Sequence, residues 1–203
     1  MKQIEIKNYR LLNNVTINID KSATLIVGRN NTGKTSIMNM LCSVLNNEKL
    51  TFHDYPLAAR EKLYTLLVGY ALKRINYDEL IKKIPSPSIK FVVDYSLESD
   101  DKLLGALSPF IIDLDVSTTT AYIFAEYRII ANEEKLNKII SLSEKGDGDK
   151  FEDSNIVKES LREEIIDNFN SLFSLEISAI DPKNSSNTQF KKIDQLRALF
   201  HYI

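Results

Sequence analysis

The spacing of apolar residues changes several times along this chain, and each change marks an element. Ile4 and Ile6, then Val15, Ile17 and Ile19, alternate with polar neighbours, which is the period of a strand with one buried face. They predict two strands paired as a hairpin around Asn13-Asn14. Thr24-Leu25-Ile26-Val27 is a continuous apolar run, suited to a buried strand. Ile37, Leu41, Val44 and Leu45 then recur at helical spacing, and Asn46-Asn47 supplies a stop.

Residues 56–83 are rich in Leu, Ala, Lys and Glu and read as helical until Pro85-Ser86-Pro87-Ser88 breaks them. β-Branched and aromatic residues predict strands over Ile89 to Leu97, Phe110 to Val116 and Thr118 to Ile130, the last two close enough to form a hairpin. A short helix over 133–142 leads into a flexible acidic loop, Ser143 to Asp153. Leu161, Ile165, Ile166, Phe169, Leu172 and Phe173 trace a helical face before a strand from Leu175 to Ile180. Ile193, Leu196, Leu199, Phe200 and Ile203 mark a final amphipathic helix with no Gly cap, Pro stop or polar tail. Such an ending is expected of a fragment of a longer protein.

Between the apolar run and the first helix stands Gly28-Arg29-Asn30-Asn31-Thr32-Gly33-Lys34-Thr35, which matches G-x-x-x-x-G-K-[ST] at every fixed position. The glycines permit turns that point successive N–H groups at phosphate oxygens. The helix opening near Lys34 directs its unpaired N–H groups and positive dipole end at the same anion. Lys34 is the candidate for the β- and γ-phosphates and Thr35 for Mg²⁺, with Ser36 as a lesser substitute.

Composition narrows the remaining choices. A chain of 203 residues, 43% hydrophobic and 27% charged, is long enough for one large α/β domain or a core with an inserted lobe. Its 26 basic and 28 acidic residues leave a formal charge of −2, so no global basic field draws nucleic acid. Any DNA contact is therefore local or outside this chain. The single cysteine, Cys42, reads as a small core residue, and with His53 and His201 it provides no zinc-binding set. The N-terminus has no signal-peptide core, and no run approaches membrane length. A cytoplasmic protein without a membrane partner is expected.

Other polar groups read as structural. Asp147, Asp149 and Asp153 lack the spacing of a Ca²⁺ loop. Asp94 and Asp113 each follow apolar residues as a metal-binding strand end would, yet both segments continue in alternation. The pairs Lys73-Arg74, Lys82-Lys83 and Lys191-Lys192 fit solvated helix faces as well as phosphate contacts. Lys191-Lys192-Ile193-Asp194 has the wrong first residue for guanine recognition.

Ile4-Glu5-Ile6-Lys7-Asn8-Tyr9-Arg10, a second strand, and a loop in the form G-x-N-x-x-G-K-T-S together resemble the N-terminal ATP-binding segment of RecF-like and SMC-like ABC-type ATPases. The likeness is strongest to the OLD-family and AAA ATPases, and its close part covers roughly residues 1–45. It implies an α/β P-loop NTPase fold like an ABC-type head, with an N-terminal antiparallel hairpin and an inserted α+β lobe. On that layout residues 1–50 form the nucleotide-binding core, and 51–203 a helical and antiparallel-strand lobe that returns to it.

The resemblance further implies Mg²⁺-ATP as ligand. Gly28, Asn30, Asn31, Thr32 and Gly33 would shape the cradle, with Lys34 as the catalytic cation, Thr35 on the metal and Ser36 beside it. Arg10 would approach the nucleotide, a surface arginine at a strand end being the alternative. The implied function is that of an ATPase acting on DNA, in repair or phage defence, working as a homodimer or with a second head. The OLD-like branch is preferred because no long heptad repeat interrupts the chain.

Two departures qualify this. None of the six glycines are adjacent, so the signature segment is missing, and no apolar run ends in Asp-Glu. Both fit an incomplete head whose isolated ATPase activity is weak or nil. The alternatives are a nucleotide-responsive interaction module without turnover of its own, and a small-molecule kinase.

Overall fold

The structure is a computed structural model, and it describes residues 1–20, 22–95, 101–112, 117–144, 154–184 and 186–202. Strands β1 (Gln3–Tyr9) and β2 (Leu12–Asn18) pair antiparallel with Tyr9 opposite Leu12, so Arg10 and Leu11 alone make the turn. The expected hairpin is present, but its turn precedes Asn13-Asn14, which lie inside β2. Arg10 adopts a left-handed φ of 49°, which lets so short a connection reverse the chain. Leu12 is thereby carried into the core at 2% exposure.

Four further strands complete a six-stranded sheet of order β2-β1-β3-β4-β5-β6: β3 (Ser88–Asp94), β4 (Thr120–Ile129), β5 (Phe173–Ile180) and β6 (Thr188–Lys191). β1 with β3, β3 with β4, and β5 with β6 are antiparallel. The registers place Ile6 opposite Ile89 and Ile89 opposite Ala125, all three fully buried. That row is the centre of one core, and strict alternation along β4 buries Ala121, Ile123 and Ala125 there.

The chain divides into two compact units. The first comprises Met1–Glu48, Pro87–Glu126 and Leu175–Ile203. Besides most of the sheet it contains helices α1 (Lys34–Asn46), α4 (Asp101–Leu107) and α7 (Ile193–Phe200). Asn47, at φ 55°, ends α1 in a left-handed cap that returns its N–H to Val44 and that of Glu48 to Ser43. Arg197 of α7 donates from Nε to the Leu45 carbonyl at 2.6 Å, a cation at the negative end of α1. Phe200 meets Phe91 edge-to-face at 5.0 Å.

The second unit, Lys49–Ser86 and Tyr127–Ser174, is built on α2 (Leu57–Ala71), α3 (Tyr77–Lys83), α5 (Glu133–Glu144) and α6 (Ser154–Leu172). It has its own apolar core, in which Leu63, Leu67, Phe169 and Leu172 are almost wholly enclosed. Phe169 stacks on Phe173 at 4.7 Å and takes the edge of Tyr55 at 5.4 Å.

Several expectations are corrected. Thr24 to Val27 is not a strand; Leu25 and Val27 are 85% and 77% exposed. Among the described residues no strand lies beside this run and no backbone bond ties residues 25–28 to another segment. A strand without a ladder partner leaves its polar groups to water. Phe110 closes a 3₁₀ turn, Ser108–Phe110, instead of opening a strand, and β4 pairs with β3. The rest of that expected strand, 113–116, lies outside the described residues, as does the acidic stretch 145–153. The helical region 56–83 is two helices separated by a turn at Lys73, and Phe173 starts β5 instead of ending α6. Helix α4 and strand β6, of 7 and 4 residues, are too short to have carried a periodic signal.

Candidate nucleotide-binding site

The loop Gly28 to Thr35 opens directly into α1. Residues 28–32 are exposed, Gly33 is buried and Lys34 is half-buried. Two left-handed residues curl it: Asn31 at φ 64° and Gly33 at φ 93°. Gly33 is doubly constrained, because a Cβ there would also lie 2.8 Å from Leu12 Cδ2. The hairpin turn therefore backs the loop. A Cβ on Gly28 would instead meet the Thr32 hydroxyl at 3.1 Å.

Polar contacts close the curl from inside. Lys34 Nζ donates to the Gly28 carbonyl and, at 2.6 Å, to the Arg29 carbonyl. Thr32 Oγ1 donates to the same Arg29 carbonyl at 2.8 Å. The Lys34 ammonium is thus held across the loop at the start of α1. That start has neither a capping side chain nor an acidic residue in its first turn, so the helix itself supplies no side-chain acceptor for its leading N–H groups and no acid for its positive dipole end. Thr35 is exposed and Ser36 is 8% exposed; of the two hydroxyls, that of Thr35 stands at the surface.

Arg10 sits on the hairpin turn next to Leu11, whose Cβ is 3.8 Å from the point a Cβ on Gly33 would occupy. Its guanidinium lies 5.2 Å from the centroid of the Tyr9 ring. Leu11 and Leu12 are the supporting residues that motif reading missed; the apolar doublet interrupting a polar turn was their signal.

The hydrogen bonds of this group do not include Asp94. Asp94 is exposed at the end of β3, and Asp113 falls outside the described residues. Among the described residues no group of three or more His, Cys, Asp or Glu is placed to hold a metal. Cys42, expected in the core, is exposed. The buried side of α1 is Ser36, Ile37, Met40, Ser43 and Val44, which leaves Cys42 on the solvent side.

A family model for the AAA ATPase domain matches residues 1–200. The chain belongs to that family. Over 138 residues it is also 29% identical to Endonuclease GajA of Bacillus cereus (strain HuB5-5), an alignment covering 66% of this chain and 20% of that protein. The chain thus spans about a fifth of the length of this relative. Membership of the AAA ATPase domain family carries nucleotide binding as the coarse function. No helix among the described residues of the domain is long and apolar enough to cross a membrane.

Proposed function

We propose that the domain binds ATP with Mg²⁺ in the loop Gly28 to Thr35, as the nucleotide-binding part of an ATPase that acts on DNA together with a second head. One observation carries this reading: an exposed, left-handed loop with its lysine ammonium laid across it, at an uncapped helix start. Lys34 would hold the β- and γ-phosphates, and its present bonds to the Gly28 and Arg29 carbonyls fix it within the curl. Gly28, Asn30, Asn31, Thr32 and Gly33 shape the ring of N–H donors. Thr35 offers an exposed hard oxygen to the metal, with buried Ser36 behind it. Magnesium, when bound, neutralises phosphate charge and supports transfer of the terminal phosphoryl group. Arg10 is placed on the turn that backs Gly33 and would approach the nucleotide from there.

Action on DNA, in repair or phage defence, is supported by the likeness to RecF-like and OLD-family ATPases and by a relative that is an endonuclease. A second reading, a nucleotide-responsive module without turnover of its own, is favoured by the contacts of the loop. Among the described residues they run from Lys34 and Thr32 to main-chain carbonyls, with no carboxylate among them.

Calorimetric titration of ATP with Mg²⁺ into wild type and Lys34→Ala tests the site. Micromolar binding by wild type and its loss in the variant are expected; equal affinities would refute the assignment. Phosphate release by this chain alone, measured alongside, separates an ATPase from a binding module.

A further inference from the structure

In the pairing of β1 with β2, Leu12 stands opposite Tyr9, on the side of the hairpin that carries Lys7, Asn14 and Thr16, while Ile4, Ile6, Val15 and Ile17 occupy the other side. Lys7, Asn14 and Thr16 are exposed, yet Tyr9 and Leu12 are buried. Leu12 is the one buried residue of β2. The apolar side of the sheet therefore does not account for its burial. Part of what covers it is the end of the nucleotide loop, since a Cβ on Gly33 would lie 2.8 Å from Leu12 Cδ2.

Gly33 is the N-cap of α1, at φ 93° and ψ 5°, and its carbonyl accepts the N–H of Ile37 at 3.1 Å. An N-cap residue ordinarily has extended backbone, and a glycine without support moves freely between left- and right-handed conformations. The hydrogen bonds of the loop leave that freedom in place. Among the described residues, those of Thr32 and Lys34 end on the carbonyls of Gly28 and Arg29 and use no atom of Gly33. The Leu12 methyl, on a residue fixed by the strand pairing, stands against the bend instead.

We propose that Leu12 is a positioning residue for the triphosphate: its buried methyl holds Gly33 in the left-handed bend, and through Gly33 the leading N–H groups of α1, before the anion arrives. This rests on the reading of the loop as a Mg²⁺-ATP site and adds what keeps that site in shape. With the side chain shortened, Gly33 must be ordered when the nucleotide binds, and the entropy of ordering it is lost from affinity. Leu12 acts through Gly33 and not by touching phosphate.

The test titrates ATP with Mg²⁺ calorimetrically into wild type, Leu12→Ala, Leu12→Val, Leu12→Met and Leu107→Ala, at a temperature where melting curves show each to be folded. Leu107, on α4, is as deeply buried as Leu12, so its truncation reports a general loss of stability. Affinity should fall about tenfold in Leu12→Ala, which is about 1.4 kcal/mol. Leu12→Val, a strand former without the δ methyls, should fall between that variant and wild type. Leu12→Met, of similar volume, should bind like wild type. Leu107→Ala should melt lower and still bind ATP like wild type. If Leu12→Ala does not fold, the comparison of Leu12→Val with Leu12→Met carries the test.

A second measurement addresses the contact itself. Gly33→Ala sets its Cβ against Leu12 Cδ2, and adding Leu12→Ala deletes that methyl, so the two falls in melting temperature should be less than additive. Unchanged affinity in Leu12→Ala and Leu12→Val, an equal loss in Leu107→Ala, or additive falls in melting temperature would overturn the proposal. If wild type binds ATP and Lys34→Ala does not, while the Leu12 variants bind like wild type, this inference fails and the loop assignment stands. No binding by wild type would overturn both.

Discussion

Replacing either glycine of the loop Gly28 to Thr35 with alanine adds one methyl group, and the structure gives the two replacements very different costs. Gly33 has φ 93°, where a side chain costs about 1–2 kcal/mol. Its new Cβ would also lie 2.8 Å from Leu12 Cδ2. Leu12 is 2% exposed and has little room to withdraw, so overpacking of about 1–3 kcal/mol is added. Gly33→Ala should therefore destabilise by about 2–5 kcal/mol, which lowers the melting temperature by roughly 4–20 °C for a chain of this size. Gly28 has no left-handed φ, and its Cβ would meet only the hydroxyl of exposed Thr32 at 3.1 Å. Turning that hydroxyl away sacrifices its 2.8 Å bond to the Arg29 carbonyl, about 1 kcal/mol. Thermal unfolding followed by circular dichroism compares the two variants with wild type. A Gly33→Ala protein that melts with Gly28→Ala, or within about 2 °C of wild type, would refute the claim that the hairpin turn backs the loop.

Lys34→Ala should retain the fold, because the lysine bonds only carbonyls of its own exposed loop. Nucleotide affinity should fall about 100-fold or more, given about 1.5–3 kcal/mol for each charge-assisted bond; a preserved melting curve beside a flat titration checks both halves. Burial first holds the hydroxyls of Tyr64, Tyr70 and Tyr77 protonated above their ordinary value of 10.0, and the Glu133 carboxylate adds to this for Tyr70 and Tyr77. Stability from a raised acid is complete below the unfolded value and is lost as pH climbs past it, so unfolding above about pH 10 is expected. Tyr70→Phe should flatten that alkaline dependence while costing about 1 kcal/mol at neutral pH through its lost bond to Asn137; pH-jump fluorescence follows the first and thermal melting the second. Arg197→Ala removes the cation at the end of α1 and should lower stability by no more than about 1 kcal/mol, read as a shift of a few degrees in melting.

The curl of the loop Gly28 to Thr35 was legible because the motif constrains the backbone: Gly33 stands where a left-handed φ and the side chain of Leu12 both exclude a Cβ. The β1–β2 hairpin was legible from periodicity. Thr24 to Val27 was not, since hydrophobicity states that a run can be buried and says nothing of what would cover it. The placement of Cys42 failed for a related reason. Centring the buried side of α1 on Leu41 and Leu45 sweeps Cys42 inward, whereas the observed side is centred on Met40 and includes Ser36 and Ser43. Two small serines, packed without apolar character, hid that side from the pattern. The turn at Lys73 was illegible because lysine occupies a position where glycine gives the usual warning.

The chain carries a single thiol, and that thiol faces solvent. Cys42 follows Lys34 by eight residues along α1, a rise of about 12 Å. A maleimide dye would therefore couple at one defined point of this chain, two turns along the helix from Lys34, with no cysteine to remove beforehand. Under oxidising conditions the same group can join only another molecule, so covalent dimers formed during purification would report the absence of reductant and not the assembly of ATPase heads.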